Sequence, residues 1–507
     1  MSSNISTTME KTMSASQMPE MADDTYKGEV INLTASKLSA NELEGSNKAE
    51  QGRLLRKIDL CLLPLLTVSY MLQFLDKQAL NFSSIMGLTK DLHLVGTEYN
   101  WAASVFYFGY LAFSYPASFL MVRFPLGKYL AITCFIWSIC LACHAATTGF
   151  PGLVVARFAL GAAEASMSPG FSLMTGLFYK REEQPFRHGI WFFGNSVATM
   201  FGGLLAYGIA HIDNGLAPWK WLFIIFGLIT FAWAVVLFFF LPNTPMDARF
   251  FNAEERVAAT ERVASNKTGS KETRFNWAEA KEAFTDVKVL LLVLYQLANS
   301  IPNGAFTSFS SIVFKGFGFT QLEVYLLQIP SGAIHGFFAL GSTYLCTRIK
   351  GSRCAIAAVL SVISLTASVL VRYGPNLGSR LVGLFLFVAF ASGIPISLSM
   401  ISSNVAGFTK KSVATAMIFI AYCTGNIIGP FLFFPSEAPS YPSGFLATII
   451  CFACAMLIMI TLRVVIKLEN RRRDKAQGIE IGSTPPENTI VTTDRTDKQI
   501  PEFRYVY

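Results

Sequence analysis

From residue 58 to residue 467 the chain alternates long apolar runs with short polar breaks. A helix that crosses a bilayer needs about 20 mostly apolar residues. Twelve runs of that kind begin near Ile58, Asn100, Lys128, Pro151, Arg187, Trp219, Lys288, Leu322, Arg353, Arg380, Ser412 and Gly444. The pattern predicts an all-α membrane protein of twelve transmembrane helices, numbered here as spans 1 to 12. A charged stretch divides the runs six and six. It carries Arg249, Arg256, Arg262, Lys267, Lys271, Arg274 and Lys281 with acids between them, and reads as a soluble linker of two short helices. The expected organisation is a disordered polar tail over 1–57, a six-helix bundle over 58–241, a linker over 242–287, a second bundle over 288–467 and a polar tail over 468–507. The closing Pro501 to Tyr507 is aromatic enough to dock.

Composition narrows the class. With 52% apolar and 15% charged residues, the chain exceeds what a water-facing surface can hide. The formal charge of +8 does not point to nucleic acid, because the cations sit between apolar runs instead of along one solvated face. They mark topology: basic residues collect in the loops on the cytosolic side. Arg53, Arg56, Lys57, Arg123, Lys128, Lys180, Arg181, Arg187, the linker, Arg348, Lys350, Arg353, Lys410, Lys411 and Arg471 to Arg473 all fall on one side. Both termini and the linker are therefore expected in the cytosol. The nine cysteines lie inside apolar stretches with no histidine at ligand spacing, and imply neither a disulfide framework nor a metal centre. Asn81 to Ser83 is a glycosylation sequon on the outer side, close against span 1.

Matching features in the two halves suggest an internal repeat. Arg123 and Lys128 bracket the turn between spans 2 and 3, and Arg348 and Arg353 bracket the turn between spans 8 and 9. These four are candidate gating cations. Span 5 holds Gly194-Asn195 and span 11 holds Gly425-Asn426. A buried glycine admits a neighbouring helix, and the asparagine beside it can bond across the gap. Two pseudo-symmetric bundles around a central cavity fit this layout.

Ionisable residues inside spans are costly and usually face a cavity. Asp76 and Lys77 close span 1, and Arg157 and Glu164 lie in span 4. Seven residues make about two helical turns, which puts Arg157 and Glu164 on one face. At about 1.5 Å per residue, Glu164 lies roughly 20 Å and Arg157 roughly 10 Å below the start of span 4, with Asp76 near the depth of Arg157. An Asp76–Arg157 pair is geometrically open. A carboxylate in a dry cavity favours its protonated form and a neighbouring cation opposes this, so such a group can load and lose a proton as geometry changes. Glu164, with Asp76, is the candidate proton carrier. Arg157 and Lys77 are candidate anion ligands. The alternative for these charges is a static pair that orients helices. Gln296, Asn299 and Asn303 form one stripe on span 7. With Gln328, Asn404 and Asn426 they are candidate substrate ligands, or ordinary interhelical bonds. Pro330 and Pro395 are expected to break spans 8 and 10.

Taken together, several motifs resemble the major facilitator superfamily, within it the fungal allantoate permease branch of the anion:cation symporters. They are Gln73-Phe-Leu-Asp-Lys77, Phe106-Tyr-Phe-Gly-Tyr110, Arg157-x-x-x-Gly161-x-x-Glu164 with Pro169, Ser300-Ile-Pro-Asn-Gly304, Asn404 to Lys411, Gly425 to Pro430 and the closing Phe503-Arg-Tyr505. The likeness covers roughly residues 53 to 473. It implies proton symport of a small organic anion such as allantoate, ureidosuccinate, a small peptide, cysteine or another carboxylate, in the plasma membrane, with roles for Asp76, Arg157 and Glu164. One departure is that Met121-Val-Arg123 lacks the acid that the superfamily's loop motif places before its arginine. No catalytic constellation argues for an enzyme. No cofactor is implied, and the expected partners are the solute, protons and the bilayer. A nutrient sensor with a transporter fold is the rival reading, disfavoured by tails of modest length.

Overall fold

The computed structural model describes residues 24–180, 183–212, 214–264, 275–349, 351–438, 440–478 and 495–507, with the backbone alone for 24–50 and 185. The secondary structure of the described residues is helical apart from turns and one isolated bridge between Asn214 and Leu216. Among the described residues, eleven helices are long and apolar enough to span a membrane. They are Gln51–Ile85, Glu98–Arg123, Leu126–Ala146, Phe186–Ile209, Pro218–Phe240, Val287–Gly316, Gln321–Arg348, Arg353–Tyr373, Leu377–Asn404, Phe408–Phe431 and Pro442–Ala476, which are spans 1 to 3 and 5 to 12. Span 4 is present as two shorter helices, Phe150–Glu164 and Met167–Phe178. Its two buried charges and Pro169 work against one unbroken apolar cylinder, and the break falls directly after Glu164.

Three local expectations are corrected. The helix that becomes span 1 begins at Asp24, inside the stretch predicted to be disordered. The alanine, leucine, lysine and glutamate content of 24–57 favours helix once an apolar span is there to propagate from. Residues 1–23 lie outside the described residues. Pro330 does not break span 8, which runs unbroken from Gln321 to Arg348. Span 10 is interrupted at Val388–Ser392, and Pro395 sits in the first turn of the helix that follows, Gly393–Asn404. A proline is tolerated there because its missing N–H has no partner to lose. In the linker, helices occupy Ala253–Ala264 and Trp277–Thr285, and 265–274 lie outside the described residues.

The spans form two pseudo-symmetric bundles of six, and glycines at matching positions set the packing. A Cβ on Gly194 of span 5 would come within 2.7 Å of the Thr67 carbonyl on span 1. One on Gly425 of span 11 would come within 2.6 Å of Ser300 on span 7. Helix pairs 1/5 and 7/11 are thus the same contact repeated. Spans 2 and 4 are closer still: a Cβ on Gly161 would lie 1.9 Å from the Phe106 carbonyl oxygen, and one on Gly109 2.2 Å from that of Phe158.

Chain alternation puts the linker, the helix end at Ala476 and the turns between spans 2/3, 8/9 and 10/11 at one end, here the linker end. At the opposite end the bundles are tied together. Asn81 of span 1 donates to Ser310 Oγ at 2.8 Å and accepts from the Ser311 N–H at 3.0 Å. Tyr99 donates to the Ser308 carbonyl at 2.7 Å, and Asn100 donates to those of Pro430 at 2.9 Å and Phe433 at 3.3 Å. Asn81 is 1% exposed, which answers the sequon: its amide is spent inside the fold.

Candidate functional site

Two of the four intramembrane charges, Lys77 and Arg157, converge on one aromatic ring. The span 2/span 4 glycine contact presses Phe106 against Arg157, whose guanidinium carbon lies 5.5 Å from the ring centroid. Lys77 Nζ lies 5.3 Å from the same centroid and 5.4 Å from that of Tyr110. A cation beside an aromatic face regains part of the attraction it loses on leaving water. Phe106 therefore holds two cations close together without supplying an anion.

The ion pair that forms is Lys77 Nζ to Glu164 Oε2 at 3.6 Å, with Glu164 fully buried. The Asp76–Arg157 pairing allowed by helix geometry is replaced by other partners. Asp76 Oδ2 accepts from Thr230 Oγ1 of span 6 at 3.3 Å, and Arg157 Nε donates to the Ala102 carbonyl at 3.2 Å. Much capacity stays unspent: among the described residues, Arg157 Nη1, Asp76 Oδ1, both Glu164 oxygens and Gln73 Nε2 have no hydrogen-bond partner. Buried polar atoms are nearly always bonded, and a cluster of exceptions marks a place where a ligand or proton can be received.

The uncharged candidates divide. Gln296 accepts from Ser397 Oγ at 2.7 Å and donates to Ser300 at 3.2 Å, tying span 7 to span 10. Asn299 donates to the Phe390 carbonyl at 3.0 Å in the interrupted part of span 10, its oxygen left unpaired. Asn303 donates to Asn426 Oδ1 at 2.8 Å, and Asn426 donates to the Tyr422 carbonyl. The span 7 stripe is thus largely spent on neighbouring helices. Gln328 is buried with Nε2 unpaired, next to Gly203 of span 5, in a polar seam with Asn195, Ser196, Ser331 and His335 that also hold unpaired atoms. Asn404 is not brought to the site. It sits at the linker end and exchanges two hydrogen bonds of 2.7 Å with the backbone of Val506. Residue type and register could not reveal this, because the partner lies 102 residues away.

The gating candidates bond within their own bundles. Lys128 donates to the Phe238 carbonyl at 2.6 Å and its backbone N–H to Asn243, pinning span 3 to the end of span 6. Arg353 donates to Ser403 Oγ at 2.8 Å and to the Ser399 carbonyl, pinning span 9 to span 10. Arg123 and Arg348 are exposed and lie over Phe119 and Tyr344. A carboxylate cluster at ligand distances, Glu282, Asp286 and Asp497, lies at the linker end. The ammonium of Lys410 fills it, 2.6 to 2.9 Å from each acid.

Sequence reasoning missed Phe106 and Thr230 as organisers. Phe106 stood in a motif run, but only the contact between Gly161 and its own carbonyl reveals its position. Thr230 carries no signal of its own.

Comparison with known proteins places this geometry. The family model described as Major Facilitator Superfamily matches residues 66–430. The allantoate permease of Saccharomyces cerevisiae is 34% identical over 93% of this chain and 89% of that protein. An uncharacterized transporter of Schizosaccharomyces pombe is 36% identical over 91% and 87%. The thiamine pathway transporter of S. cerevisiae is 31% identical over 96% and 90%. Among solved structures, a proton:xylose symporter superposes with a TM-score of 0.63 at 14% identity, covering 81% of this chain and 95% of that one. A bacterial homologue of the lysosomal transporter Spinster gives 0.59 at 13%, covering 80% and 96%.

Proposed function

The chain belongs to the major facilitator superfamily of multi-pass membrane transporters, and from that premise we propose that it carries a small organic anion into the cell together with protons, by alternating access. The observation that carries the reading is the buried cluster in which Arg157 and Lys77 flank Phe106 while Glu164 pairs with Lys77. An entering carboxylate is drawn to Arg157 and Lys77 and competes with Glu164 for Lys77. Displaced from its cation while buried, Glu164 takes up a proton. Loading of solute and of proton are thereby linked through one lysine. Allantoate and related ureido acids or other small carboxylates match the charge of the two cations, Arg157 and Lys77.

In this reading both termini and the linker are cytosolic, the membrane is the plasma membrane, and the bonds of Asn81, Tyr99 and Asn100 close the outer side. Asp76, held by Thr230, serves as a second proton site.

Uptake of labelled allantoate and of a carboxylate panel, with proton entry recorded in the same cells lacking related permeases, tests the proposal. Glu164→Gln is expected to keep exchange of solute across the membrane but lose pH-driven accumulation. Full, pH-dependent accumulation by that variant overturns the coupling.

A further inference from the structure

Residues 495–507 touch the linker-end terminus of almost every helix of the second bundle. Asp497, fully buried, accepts from Lys410 Nζ of span 11 at 2.6 Å and lies 3.9 Å from Lys288 Nζ of span 7. Its other oxygen accepts from Tyr505 Oη at 2.7 Å. Lys410 itself is fully buried and also holds Asp286, the N-cap of span 7, at 2.8 Å and Glu282 of the linker helix Trp277–Thr285 at 2.9 Å. Thr496 donates to the same Glu282 at 3.0 Å. An ammonium out of water must be matched by acids, and the tail adds Asp497 as a third acid on Lys410 while its Lys498 lies 4.0 Å from Asp286, which also pairs with Lys288 at 3.1 Å.

Recognition extends to the backbone. Asn404 of span 10 pairs both ways with Val506, and Asn470 of span 12 pairs both ways with Tyr505 at 2.8 and 3.0 Å. Arg473 of span 12 gathers the carbonyls of Asp497, Ile500 and Phe503 at 2.9 to 3.1 Å and also donates to Tyr505 Oη. The Tyr505 ring lies 4.3 Å from Lys288 Nζ and 4.7 Å from the Arg473 guanidinium. Tyr507 rests against Gly351 in the turn between spans 8 and 9.

We propose that the second bundle carries at its linker end a docking site for this chain's own residues 495–507, centred on Lys410, and that docking makes spans 7, 10, 11 and 12 and the linker helix move as one body. Alternating access in this fold is largely the rocking of one bundle against the other. A bundle transmits that motion only if its helix ends do not slide past each other.

The test uses the purified full chain, the same chain lacking 495–507, and a synthetic peptide of those thirteen residues, followed by hydrogen exchange. Deletion is expected to speed exchange about tenfold or more at 277–286 and 404–411 and leave the first bundle unchanged, with added peptide restoring protection. Peptide carrying Asp497→Asn should bind about tenfold more weakly. Unchanged exchange after deletion, or equal loosening of both bundles, overturns the proposal. Should the deleted chain not fold, the full chain carrying Asp497→Asn or Tyr505→Phe gives the same local readout, and no local change in either is the overturning result.

Discussion

Gly161→Ala isolates the close contact between spans 2 and 4 that holds Phe106 against the charged cluster. The added Cβ would sit 1.9 Å from the Phe106 carbonyl oxygen, 2.8 Å from its carbon and 3.1 Å from the Tyr110 nitrogen. Ordinary carbon to carbonyl oxygen contacts are about 3.3 Å or longer, so spans 2 and 4 must part by roughly 1.4 Å. The three neighbours are backbone atoms, and no side-chain rotation can relieve the clash. Overpacking costs typically about 1 to 3 kcal/mol, and the upper end applies where only backbone can yield. The displaced segment carries Arg157 one turn before Gly161 and Glu164 three residues after it, so the charges separate from Phe106 as the helices part. Apparent melting temperature in detergent and uptake at matched membrane abundance should both fall. Gly208→Ala is the control: its Cβ meets nothing within 4 Å, and the exchange of glycine for alanine in a helix is neutral or stabilising by up to about 1 kcal/mol. If Gly161→Ala melted and transported like the unaltered chain, the close contact would not be what positions the charged cluster.

Arg157→Lys keeps a cation but loses the planar fork that meets both the Ala102 carbonyl and the Phe106 face. Uptake is expected to drop about tenfold or more at equal abundance, and full activity in the lysine variant would refute a geometric role. The contribution of Asp286 to the cluster around Lys410 should resist mild acid. Burial alone would raise the Asp286 carboxyl, but Lys288 and Lys410 hold it below its ordinary value. A depressed folded value means that the stabilisation is present above the unfolded pKa, about 3.9, and is lost only as pH falls through the lower folded value. The melting difference between the unaltered chain and Asp286→Asn should therefore be the same at about pH 7.5 and pH 5.5 and shrink below about pH 4. A difference that collapsed between pH 7 and 6 would contradict the assignment.

What could be read from the chain depended on whether the signal was local. Apolar runs and the charges inside them need no partner to be recognised, so the two bundles and the set Asp76, Lys77, Arg157 and Glu164 are legible in the sequence alone. Helix geometry put Arg157 and Glu164 on one face but could not decide that Lys77, and not Arg157, meets Glu164. That choice depends on how span 1 rotates against span 4. The span 7 stripe is legible in the sequence but its destination is not, because the same amide bonds a solute or Ser397 equally well. Lys410 illustrates the harder case. Its position beside Lys411 marked a basic turn, whereas its three acidic partners come from the linker, the start of span 7 and the tail, segments that only the fold unites.

The buried sequon has a practical consequence for anyone producing this protein. The atom to which an oligosaccharide would be attached, Asn81 Nδ2, is the one that donates to Ser310. A sugar placed there during synthesis would block the approach of spans 1 and 7. Correctly assembled protein should therefore carry no oligosaccharide at Asn81, and an enzyme-sensitive heavier band that Asn81→Gln removes would report chains in which spans 1 and 7 never closed.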